Sequence, residues 1–173
     1  MKKNFITICI FIISLNLILF SSEERRSSTP FISGDTFREY ADHIYDETTT
    51  TFNVENVREA DVVFLKTDYD CLEKFFSRYH PLILHPYIIV THNSDHSTPG
   101  PFYHLLDSEK IIAWFGQNIE GRSHPKLFSI PIGIANSYWT HGNVNDFLKY
   151  SEIKENIHRP YLCHTCKESI KYS

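Results

Sequence analysis

Residues 88–100 read IIVTHNSDHSTPG, and here a run of β-branched apolar residues passes at once into a cluster of polar and titratable side chains at 92–96. The apolar run predicts a strand buried in a sheet, because β-branched residues pack well on a pleated surface. In open α/β sheets, ligands bind beyond the carboxyl ends of the strands. The stretch therefore predicts both a buried strand and a candidate site at its end.

Further strands and helices alternate along the chain. Strands are predicted at 61–67, 87–91, 111–115 and 127–134, with a first short strand ending at 31–32 and another beginning at 161–163. Helices are predicted at 36–47, after Asp68, at 101–109 and at 143–156. Such alternation, with nearly continuous apolar strands, predicts an α/β fold with a mostly parallel sheet and helices on both faces.

Two of these helices have an apolar stripe at helical spacing. The helix over 36–47 is predicted from Phe37, Tyr40, Ala41 and Ile44, with Asp35 or Thr36 as its N-cap. In the helix after Asp68, the stripe consists of Leu72, Phe75, Phe76 and Tyr79.

Length and charge limit the class of protein. The chain has 173 residues, enough for one domain, and is 42% hydrophobic, which suits a packed core. Its formal net charge is −4, and its 17 basic residues form no long run. Binding of nucleic acid through a basic surface is therefore not expected.

The N-terminus has the three parts of a secretory signal. A basic start at 1–4 precedes an apolar stretch at 5–20 and two serines at 21–22. We expect residues 1–22 to be a cleaved signal peptide or, if they are retained, a membrane anchor. Residues 23–29 are a polar linker, and the rest of the chain is expected to be secreted, periplasmic or lumenal in the secretory pathway.

The cysteines do not form a disulfide framework. Cys9 lies in the predicted signal, which leaves Cys71, Cys163 and Cys166. The CHTC sequence at 163–166 has the spacing of a thiol–disulfide site, but few residues follow it and no second CxxC accompanies it. Surface cysteines or a local disulfide are the favoured interpretations.

Polar side chains follow several predicted strands, and the carboxyl ends of parallel strands share one edge of a sheet. The candidates are Ser33, Gly34 and Asp35; Thr67, Asp68 and Asp70; His92, Asn93, Ser94, Asp95 and His96; Gln117 and Asn118; and Gly133 and Asn136. Neutral hydrogen-bonding groups suit a polyhydroxylated ligand, because sugar hydroxyls both donate and accept. No Gly-rich loop with a Lys is present, so a phosphate cradle is not expected.

Other interpretations of these residues stay open. Asp and Asn routinely cap helices and turns, so a role in the fold alone also explains each of these residues. His92, Asp95 and His96 are able in principle to bind zinc or iron, but no HExxH pattern supports this and their spacing fixes no geometry. We expect no bound metal and no cofactor. The aromatic residues Trp114, Tyr138, Trp139 and His141 would either stack on sugar rings or pack half-buried.

Several stretches, taken in order, resemble one family. They are SGDTFR at 33–38, ADVVFLKTD at 60–68, YIIVTHNSD at 87–95, IIAWFGQN at 111–118 and KLFSIPIGIAN at 126–136. Together they resemble the N-terminal half of exostosin-like glycosyltransferases, over about residues 30–142.

The resemblance implies two facing Rossmann-like domains with the active cleft between them. The N-terminal domain would chiefly hold the glycan acceptor and the C-terminal domain the nucleotide sugar, with inversion at the anomeric centre and without a DxD-bound metal. Residues 30–158 would form the first domain, and 159–173 the start of a second domain or a tail. The donor-binding half does not appear before Ser173. We therefore expect an incomplete enzyme that is inactive alone and binds a nucleotide sugar only when a second domain is supplied.

In a complete enzyme, a general base would deprotonate the acceptor hydroxyl. The candidate bases are Asp95 and His92, with Asp35 behind them. Sugar hydroxyls would be positioned by Asn93, Ser94, Gln117, Asn118 and Asn136. Two other functions stay open: an exported carbohydrate-binding domain without catalysis that uses the same cleft, and a metal-dependent hydrolase built on His92, Asp95 and His96.

Overall fold

The computed structural model describes residues 25–151. Its helices are α1 (Gly34–Glu39), α2 (Tyr69–Arg78) and α3 (Val144–Ser151). Its strands are β1 (His43–Tyr45), β2 (Val62–Lys66), β3 (Tyr87–His92), β4 (Ile111–Gly116) and β5 (Leu127–Ser129). Three 3₁₀ helices lie at Val54–Asn56, His80–Leu82 and Gly100–Asp107.

All five strands pair in parallel, in the order β1-β2-β3-β4-β5. The α/β class with a parallel sheet is therefore confirmed, as are the strands predicted at 61–67, 87–91 and 111–115. Each successive strand joins on the same side of the one before it. Connections of the usual right-handed kind then all run over the same face of the sheet.

The main hydrophobic core lies on that face. It joins alternate residues of β2 and β3 to the apolar stripe of α2, which confirms the helix predicted after Asp68. The central members are Val63, Leu65, Leu72, Phe75, Tyr87, Ile89 and Trp114, all fully buried. Residues of the connections also belong to it, among them Phe52 and Val57 between β1 and β2 and Leu106 between β3 and β4.

The opposite face carries a row of apolar side chains, one from each strand. In register across the sheet they are Ile44, Phe64, Val90, Phe115 and Phe128. Phe64 is fully buried, whereas Phe128 at the edge is 43% exposed. Helix α1 lies on this face, because its Phe37 ring is 5.5 Å from the ring of His92, which points away from the main core.

The predicted helix over 36–47 is wrong beyond Glu39. The chain leaves the helix at Tyr40, and Ile44, which we assigned to its stripe, pairs with Phe64 as part of β1. The predicted N-cap is also wrong: the Ser33 hydroxyl accepts the backbone N–H of Thr36.

Two predicted strands also differ from the structure. Phe31 and Ile32 form no strand; instead the Ile32 carbonyl accepts the N–H of Ile134, which ties this segment to the loop after β5. The strand predicted at 127–134 ends at Ser129, because Pro131 has no N–H for the ladder. The short helix predicted at 101–109 is a 3₁₀ helix, and the helix predicted at 143–156 is observed from Val144 to the last described residue.

Several predictions lie outside the described residues. They are the signal or anchor at 1–22, the beginning of the linker at 23–24, the strand at 161–163, the Cys163–Cys166 pair and the segment 159–173. Within 25–151, no helix has both the length and the apolar character needed to cross a bilayer.

Candidate functional site

A cavity of about 410 Å³ opens at the carboxyl edge of the sheet. It is bordered by the ends of β3 and β4, the loop after β5 and the start of α1. Its lining residues are Gly34, His92, Asn93, Ser94, Asp95, Gln117, Ile132, Ile134, Ala135, Asn136, Tyr138, Trp139 and His141. Six of the eight predicted catalytic and sugar-positioning residues therefore share one cavity, which we call the edge cavity.

Asp35, Asn93 and Asn136 form a closed hydrogen-bonded ring behind the edge cavity. Asn93 Nδ2 donates to Asp35 Oδ1 over 2.9 Å, and Asn136 Nδ2 donates to Asn93 Oδ1 over 2.8 Å. The backbone N–H of Asp35 donates to Asn136 Oδ1 over 2.8 Å and closes the ring. Each amide is held in one orientation, because its oxygen accepts and its nitrogen donates within the ring.

Local backbone geometry explains how these residues come together. Asn93 has φ 63°, a left-handed conformation that Asn tolerates better than most residues, and it turns the chain sharply after β3. Its amide then lies against Gly34, where a Cβ atom would overlap the Asn93 side-chain oxygen and His92 Nδ1. Only glycine at position 34 allows this approach.

Asp35 does not line the edge cavity. It is 2% exposed, and its Oδ2 has no hydrogen-bond partner in the described part of the chain. Burial raises the pKa of Asp35, an effect that the nearby Arg25 guanidinium and the bond from Asn93 oppose. Asp35 thus holds the two amides in place, since its carboxylate accepts from Asn93 and its backbone N–H donates to Asn136.

His92 lies in the wall of the edge cavity with both ring nitrogens engaged. Nδ1 accepts the backbone N–H of Asn93 over 2.8 Å, so Nε2 carries the hydrogen and faces the Pro131 carbonyl at 3.4 Å. Burial lowers the pKa of His92, although the bonds to Pro131 and Asn93 oppose this effect. The ring is therefore neutral at pH 7 and orients its surroundings.

Asp95 is exposed at the cavity, and residues 25–151 offer it no hydrogen bond or ion pair. Behind it, Ser94 Oγ donates to Asp68 over 2.9 Å, and Gln117 Nε2 donates to the Ser94 carbonyl. Gln117 Oε1 is buried without a partner among the described residues. Asn118 is exposed, has φ 51° and does not line the cavity.

Aromatic side chains border the other side of the edge cavity. Trp139 is 55% exposed, and its ring lies 6.1 Å from that of His141 at an interplanar angle of 22°. Tyr138 lies under the Arg25 guanidinium at 5.7 Å. Trp114, by contrast, is fully buried and donates its indole N–H to Thr91, so it is a packing residue.

His96 belongs to a second cavity of about 630 Å³ beside the first. Its ring stacks on Tyr69 at 4.4 Å, and its Nδ1 lies 3.8 Å from Asp68. The cluster at 92–96 is thus divided between two cavities. Within residues 25–151 no group of three or more His, Cys, Asp or Glu side chains is placed to hold a metal ion.

Arg25 was not predicted as part of the site, since it lies in the segment assigned as a linker. Its Nη1 is 3.6 Å from Asp35 and 3.8 Å from Asp46, and its Nη2 contacts Glu47. The arginine therefore neutralises buried carboxylates behind the edge cavity and contacts Tyr138 beside it. No sequence motif identifies Arg25 as part of the site; only the general need of two buried aspartates for a nearby cation points to a basic residue.

No protein-family model matches the chain, and neither a curated protein nor a solved structure matches it.

Proposed function

We propose that this chain is the acceptor-side, glycan-binding domain of an exostosin-like glycosyltransferase, with a Rossmann-like fold. The observation that supports this most is the edge cavity itself. Strand ends that are far apart in sequence place amides, hydroxyls, a carboxylate and an exposed tryptophan around one open site. The resemblance of five sequence stretches to that family supports the same function.

The lining suits a sugar in two ways. Ser94, Gln117 and the remaining capacity of Asn93 and Asn136 provide donors and acceptors for hydroxyl groups. Trp139 offers an exposed apolar ring face on which the C–H face of a pyranose can pack. Open cavities of this size commonly bind small organic ligands with a few polar groups that fix orientation.

For catalysis in a complete enzyme, the geometry favours Asp95 as the general base. Its carboxylate is accessible, whereas the nitrogens of His92 are engaged and Asp35 is separated from the cavity by Asn93 and Asn136. A second domain would have to supply the nucleotide sugar. Export of the chain, with or without membrane attachment through residues 5–20, is part of the same proposal.

A binding domain without catalysis is the second candidate. General bases are usually oriented by a partner, and Asp95 has none among residues 25–151. Both candidates need the same cavity, so glycan binding is tested first and sugar transfer second.

The experiment is a glycan-array screen of the full chain, followed by calorimetric titration of the best binder. Trp139→Ala should weaken binding by about 1–2 kcal/mol through loss of the ring face. Tyr150→Ala removes an aromatic ring that is 70% exposed on α3 and does not line the cavity, so it should leave the affinity unchanged. Equal effects of the two variants, or no glycan bound at all, would contradict the proposal.

A further inference from the structure

We infer that the edge cavity selects glycans that carry no carboxylate or sulfate group, and that Asp95 is a residue that determines this specificity. The inference rests on the proposed glycan-binding function and adds the chemical class of the glycan. It comes from the formally charged side chains of the cavity lining, of which the described residues provide one, the carboxylate of Asp95.

Among residues 25–151, the lining of the edge cavity contains no Lys or Arg; its two histidines are His92 and the exposed His141. Its one acidic side chain is Asp95, which is exposed and unpaired among the described residues. The imidazole of His92 is buried, and its Nδ1 accepts a backbone N–H, which leaves it uncharged. An acidic glycan would therefore meet a carboxylate and find no lysine or arginine in the cavity wall.

The nearest cation behind the wall is already engaged. Arg25 lies over Tyr138, but its guanidinium is shared among Asp35, Asp46 and Glu47. Arg38 also binds Asp46, over 2.7 Å, so two guanidinium groups face three carboxylates and the group has no formal excess of positive charge. Proteins that bind carboxylate, sulfate or phosphate groups typically present an unshared Arg or Lys to them.

In the neighbouring cavity, the lysine at the end of β2 is paired with carboxylates. Lys66 lies 2.8 Å from Asp68 and 3.5 Å from Glu47, so its charge is balanced locally. Asp68 in turn contacts Ser94 in the wall between the two cavities. At physiological ionic strength such charges are screened over about 8 Å, so groups close to the cavity dominate the electrostatic energy of a ligand in it.

The test uses a pair of ligands that differ only in charge. A uronate-containing tetrasaccharide and its carboxyl-reduced counterpart, chosen on the backbone that the array identifies, are titrated into the full chain. We expect the reduced form to bind at least about tenfold more tightly, which corresponds to about 1.4 kcal/mol. The difference should shrink as salt is added, because the repulsion is screened.

Variants locate the effect. Asp95→Asn should reduce the preference while keeping the side-chain shape, and Asp95→Lys should abolish or reverse it. The control Glu109→Lys makes the same change of charge as Asp95→Lys, but at the opposite edge of the sheet. Glu109 precedes the six-residue β4, which spans roughly 17 Å by strand rise. This control should leave the preference for the reduced form intact.

The outcomes separate the inference from the function on which it rests. Equal or tighter binding of the uronate form would overturn the inference and leave glycan binding standing. A preference that persists unchanged in Asp95→Asn and Asp95→Lys would overturn the role of Asp95. No binding of any glycan would overturn the proposed function and the inference with it.

Discussion

Removal of the Asn136 side chain should destabilise the fold, although Asn136 belongs to none of the five strands. Asn136 is 7% exposed, and its amide makes two bonds of 2.8 Å in the ring with Asp35 and Asn93. The substitution Asn136→Ala leaves the Asp35 N–H and the Asn93 Oδ1 without these partners. A buried group that loses its partner costs about 1–3 kcal/mol.

Two such groups set the expected loss of unfolding free energy at about 2–6 kcal/mol, less any part that water recovers from the cavity side. The assay is urea unfolding followed by tryptophan fluorescence and by far-UV circular dichroism. Asn145→Ala is the matched control, because Asn145 is exposed on α3 and should change the free energy by no more than about 0.5 kcal/mol.

Asn136→Asp sharpens the test. An aspartate at this position keeps an acceptor for the Asp35 N–H but loses the donor to Asn93 and brings a carboxylate close to Asp35. Its destabilisation should therefore decrease as the pH falls, because protonation removes the repulsion. A loss below about 0.5 kcal/mol in Asn136→Ala would mean that the ring contributes nothing to stability and would refute the reasoning.

Further predictions concern Gly34, His80 and Asp95. Gly34→Ala should destabilise the fold by about 1–3 kcal/mol, because the added Cβ would overlap Asn93, although alanine normally favours a helix over glycine. Urea unfolding measures the change, and a variant more stable than the parent would contradict the close approach of Asn93 to Gly34. Burial, helped by Lys110, lowers the pKa of His80 from 6.5 to about 4. Between these two pH values the folded state binds fewer protons than the unfolded state. The unfolding free energy should therefore be highest above pH 6.5 and decrease by up to about 3 kcal/mol as the pH falls toward 4. His80→Gln should make the unfolding free energy less dependent on pH in this range, and an unchanged dependence would contradict the role of His80. Asp95→Asn should change the unfolding free energy by no more than about 1 kcal/mol; a larger loss would assign Asp95 to the fold.

Strong local patterns made the centre of the fold predictable. The strands β2 and β3 are nearly continuous apolar runs, and α2 combines an apolar stripe with a length of 10 residues. The placement of polar strand-end residues at one edge of the sheet also followed from the sequence, because parallel strands have their carboxyl ends at the same edge.

The short elements were not predictable in the same way. The strand β1 has three residues, too few for a period, and Ile44 fits a helical stripe as well as a strand. Its conformation is decided by pairing with Phe64, a contact that the local sequence does not contain. Here tertiary pairing overrides local preference.

The polar partnerships were beyond sequence reasoning for a related reason. Asn93 meets Asp35 across 58 positions and Asn136 across 43 positions of the chain. The residue types indicate that buried polar groups need hydrogen-bond partners, but they do not determine which residue provides each partner. The engagement of both His92 nitrogens, which leaves Asp95 as the favoured one of the candidate bases, likewise depends on contacts that the local sequence does not contain.

Glycan binding in the edge cavity is most directly tested by the two tryptophan indole signals in a ¹⁵N-correlated NMR spectrum of the full chain. The sequence contains two tryptophans: Trp139 is 55% exposed at the edge cavity, whereas Trp114 is fully buried in the core. Titration with the neutral glycan selected on the array should shift the Trp139 signal in a saturable manner and leave the Trp114 signal in place. A glycan that binds without moving the Trp139 signal, or that moves the signals of the second cavity instead, would contradict glycan binding at this site.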